Sequence, residues 1–205
     1  MNYIFDFFGT LVTDDIKTYK NIMTKNFGLD ERDYTKINNF ISQRNFDSKE
    51  IALKELLRFL NISITNKQKD RFFLELNEWM EERKTSPYTL EVLRNIKQQG
   101  SKIAILSNNN IFIEEIIQKK SIDQYVDLIL LSNRIGFRKP DPKIYELCLK
   151  KMNSKPSQTM MIGDNLQKDV IVPRQLGINS ILFDPRNEYR DYSGKKISSL
   201  LELIN

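Results

Sequence analysis

No histidine occurs among the 205 residues. That excludes Ser-His-Asp and Cys-His catalysis and any His-ligated zinc site. Chemistry in this chain must run on carboxylates, lysine, hydroxyls or a hard metal. Such groups stand at or just beyond the ends of short apolar runs: Asp6, Ser107, Lys139, and Asp164 with Asp169. Asp6 follows Tyr3-Ile4-Phe5 and precedes Gly9-Thr10, so it sits where a buried strand gives way to a loop. A carboxylate is costly to bury without a cation or donors. Asp6 either caps the turn or is held beside a metal or a substrate. Singly, Ser107 reads as a turn hydroxyl, Lys139 as a solvated charge and Asp169 as a helix-start acid. Jointly they read otherwise. Acids, a lysine and a hydroxyl on one sheet edge are what a phosphate-plus-magnesium site needs. Magnesium takes oxygen ligands, usually with one or two carboxylates. Lysine then neutralises phosphoryl charge, and a hydroxyl and backbone amides bind the oxygens.

These residues need a frame that brings them to one edge. Runs at 3–5, 103–106, 128–131, 160–162 and 180–183 read as buried strands. Helices are predicted between them. One starts at Pro87 and closes at Gly100, and one holds Phe112, Ile113, Ile116 and Ile117. Another is capped by Asp141-Pro142, one runs up to Gly177, and a short one lies at 200–204. Strands alternating with helices imply an α/β, Rossmann-like parallel sheet of about five strands, whose carboxyl ends share an edge. Residues 14–85 break the alternation with four amphipathic helices and no proline. The division expected is an α/β catalytic core, 1–13 and 86–205, with an inserted four-helix cap, 14–85. The cap aromatics Phe40, Phe46, Phe72, Phe73 and Trp79 read as bundle core ahead of pocket lining.

Composition narrows the partners. With 40% hydrophobic and 29% charged residues the chain reads as soluble and globular. No apolar run approaches the ~20 residues of a membrane span, and no secretion signal opens the sequence. The single cysteine, Cys148, cannot pair within the chain and falls on an apolar helix face, so a reducing cytoplasm is expected. The net charge of +5 is scattered, with no nucleic-acid stripe.

In this order the motifs resemble the haloacid dehalogenase-like hydrolase superfamily, in the branch with a helical cap after the first strand. The resemblance spans the chain: Asp6-Phe7-Phe8-Gly9-Thr10, Ser107-Asn108, Lys139-Pro140-Asp141-Pro142, and Gly163-Asp164 with Asp169. It implies a Mg²⁺-dependent phosphohydrolase acting on a small phosphorylated metabolite through an aspartyl-phosphate on Asp6. Thr10, Ser107, Asn108 and Lys139 would bind substrate, with Lys139 also steadying Asp6. The metal would be held by Asp6, Asp164 and the Phe8 backbone carbonyl, with Asp169 assisting directly or through water.

One position departs from the pattern. Phosphatases of this family usually carry a second aspartate two residues after the nucleophile, as general acid and base; here it is Phe8. That help is typically worth about 10²–10⁴-fold. The expected enzyme is therefore slow on alkoxide leaving groups unless water or a cap residue substitutes. Two alternatives stand beside it. One is a catalytically impaired member that binds phosphate ligands or a protein. The other is a 2-haloacid dehalogenase, whose halide leaves without a proton but whose chemistry uses no metal. Phosphonate hydrolysis would need a cap lysine at the site, such as Lys17, Lys20 or Lys25.

Overall fold

The computed structural model describes residues 1–204. Its centre is a parallel sheet of β1 (Asn2–Phe5), β2 (Ile103–Ser107), β3 (Leu128–Leu131), β4 (Thr159–Gly163), β5 (Asn179–Phe183) and β6 (Lys196–Ile197), in the order β3-β2-β1-β4-β5-β6. The two-residue β6 is too short to be read from sequence periodicity. It pairs with the end of β5, Leu182 opposite Lys196 and Phe183 opposite Ile197. Alternate strand residues face opposite sides of a sheet, and both sides are covered. Phe5, Ile103, Ile105, Ile162 and Ile181 join one hydrophobic cluster. Ile4, Ala104, Leu106 and Met161 join the other, with Tyr145 and Cys148. Burial on both faces explains the unbroken apolar runs.

Four helices lie between β1 and the next core helix: α1 (Ile16–Lys25), α2 (Tyr34–Ile41), α3 (Lys49–Leu60) and α4 (Asn66–Glu82). The starts of α1, α3 and α4 are each capped by a side chain that satisfies an orphan amide. Asp15 accepts from Thr18 N, Ser48 from Ile51 N, and Thr65 forms a reciprocal capping box with Gln68. The chain leaves and re-enters the sheet region side by side. Thr13 N donates to Lys84 O at 2.8 Å, and Ser86 N to Leu11 O at 2.9 Å. The helical block shares one continuous core with the sheet face, reaching from Phe5 through Phe72 to Ile105.

The remaining helices are α5 (Thr89–Gln98), α6 (Ile116–Lys119), α7 (Ser132–Ile135), α8 (Pro142–Met152) and α9 (Val172–Gln175). Asp141 and Pro142 open α8 as the sequence predicts, and Gly100 follows α5 with φ +76°. Three local expectations are corrected. Pro87 lies before α5, because Tyr88 adopts φ +65° and Ser86–Thr89 closes as a turn. Phe112 and Ile113 precede the helix. There Asn109 and Asn110 side chains accept from the amides of Asn110 and Phe112, which competes with helical pairing. After β4 the chain forms a wider π-helical turn, Leu166–Ile171, before α9. No helix among the described residues is long and apolar enough to cross a membrane.

Phe72 of α4 is fully buried between Phe27, in the turn after α1 (centroids 5.1 Å apart), and Phe112 of the sheet region (5.5 Å, rings at 89°). Phe72→Ala is expected to cost about 3–5 kcal/mol in urea denaturation, the range for a large buried aromatic. A loss below about 1 kcal/mol would show that the helical block is not fastened to the sheet through this ring.

Candidate active site

The order of strands turns around β1, with β2 on one side and β4 on the other. Ligands bind at the carboxyl edge beside such a switch point. Asp6 follows β1 there, and its amide donates to Ile162 O of β4 at 2.9 Å. Ser107 is the last residue of β2 and is 1% exposed. Asp164 follows β4 directly, and Asp169 comes back to the same edge from the π-helical turn.

Lys139 occupies the centre. Its ammonium is buried, 2.9 Å from Asp6 Oδ1 and donating to Asp169 Oδ1 at 2.6 Å. Asp169 is wholly buried and also accepts from Asn165 N at 3.0 Å through Oδ2. Burial works against the Lys139 charge, but Asp169 and Asp6 override it and raise the Lys139 pKa. Burial, then the charges of Asp6 and Asp169, pushes the Asp164 carboxyl up. Burial likewise raises Asp169, against the opposing pull of Lys139. One carboxylate oxygen from each of Asp6, Asp164 and Asp169 lies within 4.8 Å of the other two. Three acids around one lysine leave an excess of negative charge, and an all-oxygen donor set suits a hard divalent cation.

Two glycines make this density of carboxylates possible. Gly9 has φ +81°, and a methyl group there would overlap the Asp164 carboxylate; one on Gly163 would overlap that of Asp169. Besides Lys139, Asp6 has one local donor. Phe7 N donates to Oδ1 at 2.7 Å, so Oδ1 holds two donors while Oδ2 accepts none among the described residues.

A cavity of about 230 Å³ opens over this centre, lined by Asp6, Phe8, Ser107, Asn108, Lys139 and Asp164 from the sheet edge. Asn108 does more than line it. Its Nδ2 donates to Lys139 O at 2.8 Å and its Oδ1 accepts from Lys139 N at 2.7 Å, so its amide fixes the lysine backbone. Thr10 is off the cavity: it is fully buried, and its hydroxyl has no partner. The loop explains this, since Leu11 N and Val12 N both donate to Phe7 O and curl the segment inward.

The sequence reading missed much of the opposite wall. Asp14, Tyr19, Tyr34 and Asn38 line the cavity from the helical block and its connection, with Asn110, Arg138 and Lys168 from the sheet region. Only tertiary packing brings them there, and none stands in a motif. Of the aromatics named from sequence only Trp79 lines the cavity; Lys17, Lys20 and Lys25 do not. Phe8 packs on Phe7 (centroids 5.0 Å) and on Trp79 (5.8 Å), and Trp79 packs on Tyr19 (4.9 Å). The position of the absent acid is thus an aromatic contact between sheet edge and α4.

The sequence profile of the haloacid dehalogenase-like hydrolases matches residues 2–177. Ribulose-1,5-bisphosphate 5-phosphatase of Halopiger xanaduensis is 32% identical over 111 residues, 54% of this chain and 46% of that protein. The chain spans about half the length of the curated relatives it matches first. Among solved structures, a HAD phosphatase from Thermococcus onnurineus superposes with a TM-score of 0.70 at 18% identity, covering 98% of this chain and 95% of that one. A HAD family enzyme from Bacteroides thetaiotaomicron, in complex with magnesium and inorganic phosphate, gives 0.68 at 19% identity over 89% and 93%. At these identities the structural likeness speaks for the fold. The match over residues 2–177, together with the motif residues gathered around Lys139, makes this chain a member of the haloacid dehalogenase-like hydrolase family.

Proposed function

We propose that the protein is a magnesium-dependent phosphohydrolase acting on a small phosphorylated metabolite, with helices α1–α4 as the cap over its site. One observation carries the reading: a buried lysine held between Asp6 and Asp169, with Asp164 completing a three-carboxylate cluster within 4.8 Å. Asp6, Asp164 and the Phe8 carbonyl would hold Mg²⁺, with Asp169 in support. When bound, the cation would offset phosphoryl charge and orient the transferred group. The magnesium and phosphate bound by the Bacteroides thetaiotaomicron enzyme support that choice.

The protein's own groups define the rest. Asp6 Oδ2, which accepts no hydrogen bond among the described residues, attacks phosphorus, while Lys139 and Phe7 N hold Oδ1 and orient the carboxylate. The phosphorus–oxygen bond to the leaving group breaks as the aspartyl-phosphate forms, and water then releases phosphate. Ser107 Oγ at the cavity wall and Lys139 bind phosphoryl oxygens, and Asn108 keeps Lys139 in place. The cavity of about 230 Å³ suits a small substrate.

Phe8 sets the limit, because it can neither give nor take a proton. Leaving groups that depart as stable anions should react best. Acetyl phosphate, p-nitrophenyl phosphate and a sugar phosphate, each with Mg²⁺ or EDTA, test this. Turnover that needs Mg²⁺, disappears in Asp6→Asn and favours the first two substrates is expected. Turnover of haloacids that survives EDTA would instead support the dehalogenase reading.

A second reading has its own observation. The Phe8–Trp79 contact fills the place of the proton donor, as suits a member that binds phosphate ligands without turning them over. Phe8→Asp separates the two. A gain of about 10²-fold or more on the sugar phosphate is expected if only the acid is missing. No gain, in a variant that stays folded and binds Mg²⁺, would favour binding alone.

A further inference from the structure

Arg138 is a half-buried cation that the catalytic centre does not use. It stands next to Lys139 in the chain and lines the same cavity. Yet it makes no ion pair with any carboxylate among the described residues. Its guanidinium donates instead to Asn39 Oδ1 of α2, which ties the core loop to the helical block. Burial lowers its pKa, and Tyr34 is the one group acting against that. Arg138 is held on the side of the cavity where α2 packs, through Asn39, and forms no ion pair with Asp6 or Asp164 among the described residues.

Its neighbours on that wall are polar. Tyr34 and Asn38 stand four residues apart on α2, hence on one face, and both line the cavity. Burial, and then the charge of Asp14, which also lines the cavity, hold the Tyr34 phenol above its usual range against Arg138, so it stays a donor, and its hydroxyl makes no hydrogen bond among the described residues. A guanidinium taken partly out of water without a carboxylate is unfavourable unless an anion arrives. Arginine also presents a planar fork that matches carboxylate and phosphate oxygens. Lys168, one residue from Asp169 in the chain, also lines the cavity.

We propose that Arg138, with the Tyr34 hydroxyl and the Asn38 amide, forms a subsite for a second anionic group of the substrate, a carboxylate or a second phosphate. This rests on the phosphohydrolase reading above and narrows it: the substrate is a small phosphate ester that is acidic at both ends. The helical block then selects substrate through α2, and binding draws α2 and the core loop together across the cavity.

The test uses three esters: 2-phosphoglycolate, fructose 1,6-bisphosphate and ethyl phosphate. Binding to the Asp6→Asn protein with Mg²⁺, followed by calorimetry, reads the subsite without turnover. Turnover by the unmodified protein is measured in parallel. Either of the first two esters is expected to bind at least tenfold tighter than ethyl phosphate, and the one that does identifies the occupant as carboxylate or phosphate. Arg138→Ala should reduce that preference at least tenfold, acting on KM more than kcat, and Arg138→Lys should restore part of it. Equal binding of all three esters, or an Arg138→Ala loss equal across them, would overturn the proposal. Preferential binding in a protein that turns over neither these esters nor acetyl phosphate would sink the hydrolase reading and leave the subsite standing. A thermal melt of both variants guards against misfolding: if Arg138→Ala fails to fold, the ester preference and its retention in Arg138→Lys decide.

Discussion

The fold converges on one buried ammonium. Lys139 lies between a carboxylate that follows β1 and one that returns after β4, and its backbone is clasped by Asn108 at the end of β2. None of these groups is near another in sequence. An ion so placed is tolerable only with its partners in position, because removing one strands an uncompensated charge. The same constraint explains the glycines. With Gly9 and Gly163 beside Asp164 and Asp169, the backbone leaves room for carboxylates that any side chain would displace. Structure and chemistry therefore depend on the same contacts: what holds Lys139 in place also aims Asp6.

Around that centre the acids outnumber the lysine, and burial magnifies the imbalance. The raised pKa of Asp164 records repulsion from Asp6 and Asp169 on top of desolvation. On the proposed reading, a divalent cation held by this all-oxygen donor set would offset that repulsion.

Phe8 shows one residue pulled between two uses. A carboxylate there would serve proton transfer, whereas the phenyl ring packs against Trp79, which in turn meets Tyr19. That contact fastens α4 to the sheet edge beside Asp6. The helical block shares its core with the sheet, so its position over the cavity is set by packing as well as by the paired connections at Thr13 and Lys84. Arg138, bonded to Asn39 of α2, adds a polar tie across the same gap.

Much of this was legible in the sequence because the physics is local or periodic. Unbroken apolar runs mark strands buried on both faces, and Asp6, Ser107 and Asp164 fall at their ends because a sheet edge is where polar groups can emerge. Asp141-Pro142 opens α8 for the same local reason that it reads as a helix start. What escaped was non-local. The two residues of β6 carry no period of their own and exist as a strand only through β5. The turn at Pro87-Tyr88 is tied to Leu11, more than seventy positions away. Thr10 and Asn108 are typical ligand-binding types, yet loop closure buries one and Lys139 engages the other. Tyr34, Asn38 and Arg138 belong to no motif, and only the packing of α2 over the sheet edge brings them to one wall. The sequence by itself determined which groups could do chemistry and which strand ends carry them. The tertiary structure decided which of them meet, since that depends on distances between elements that no spacing along the chain encodes.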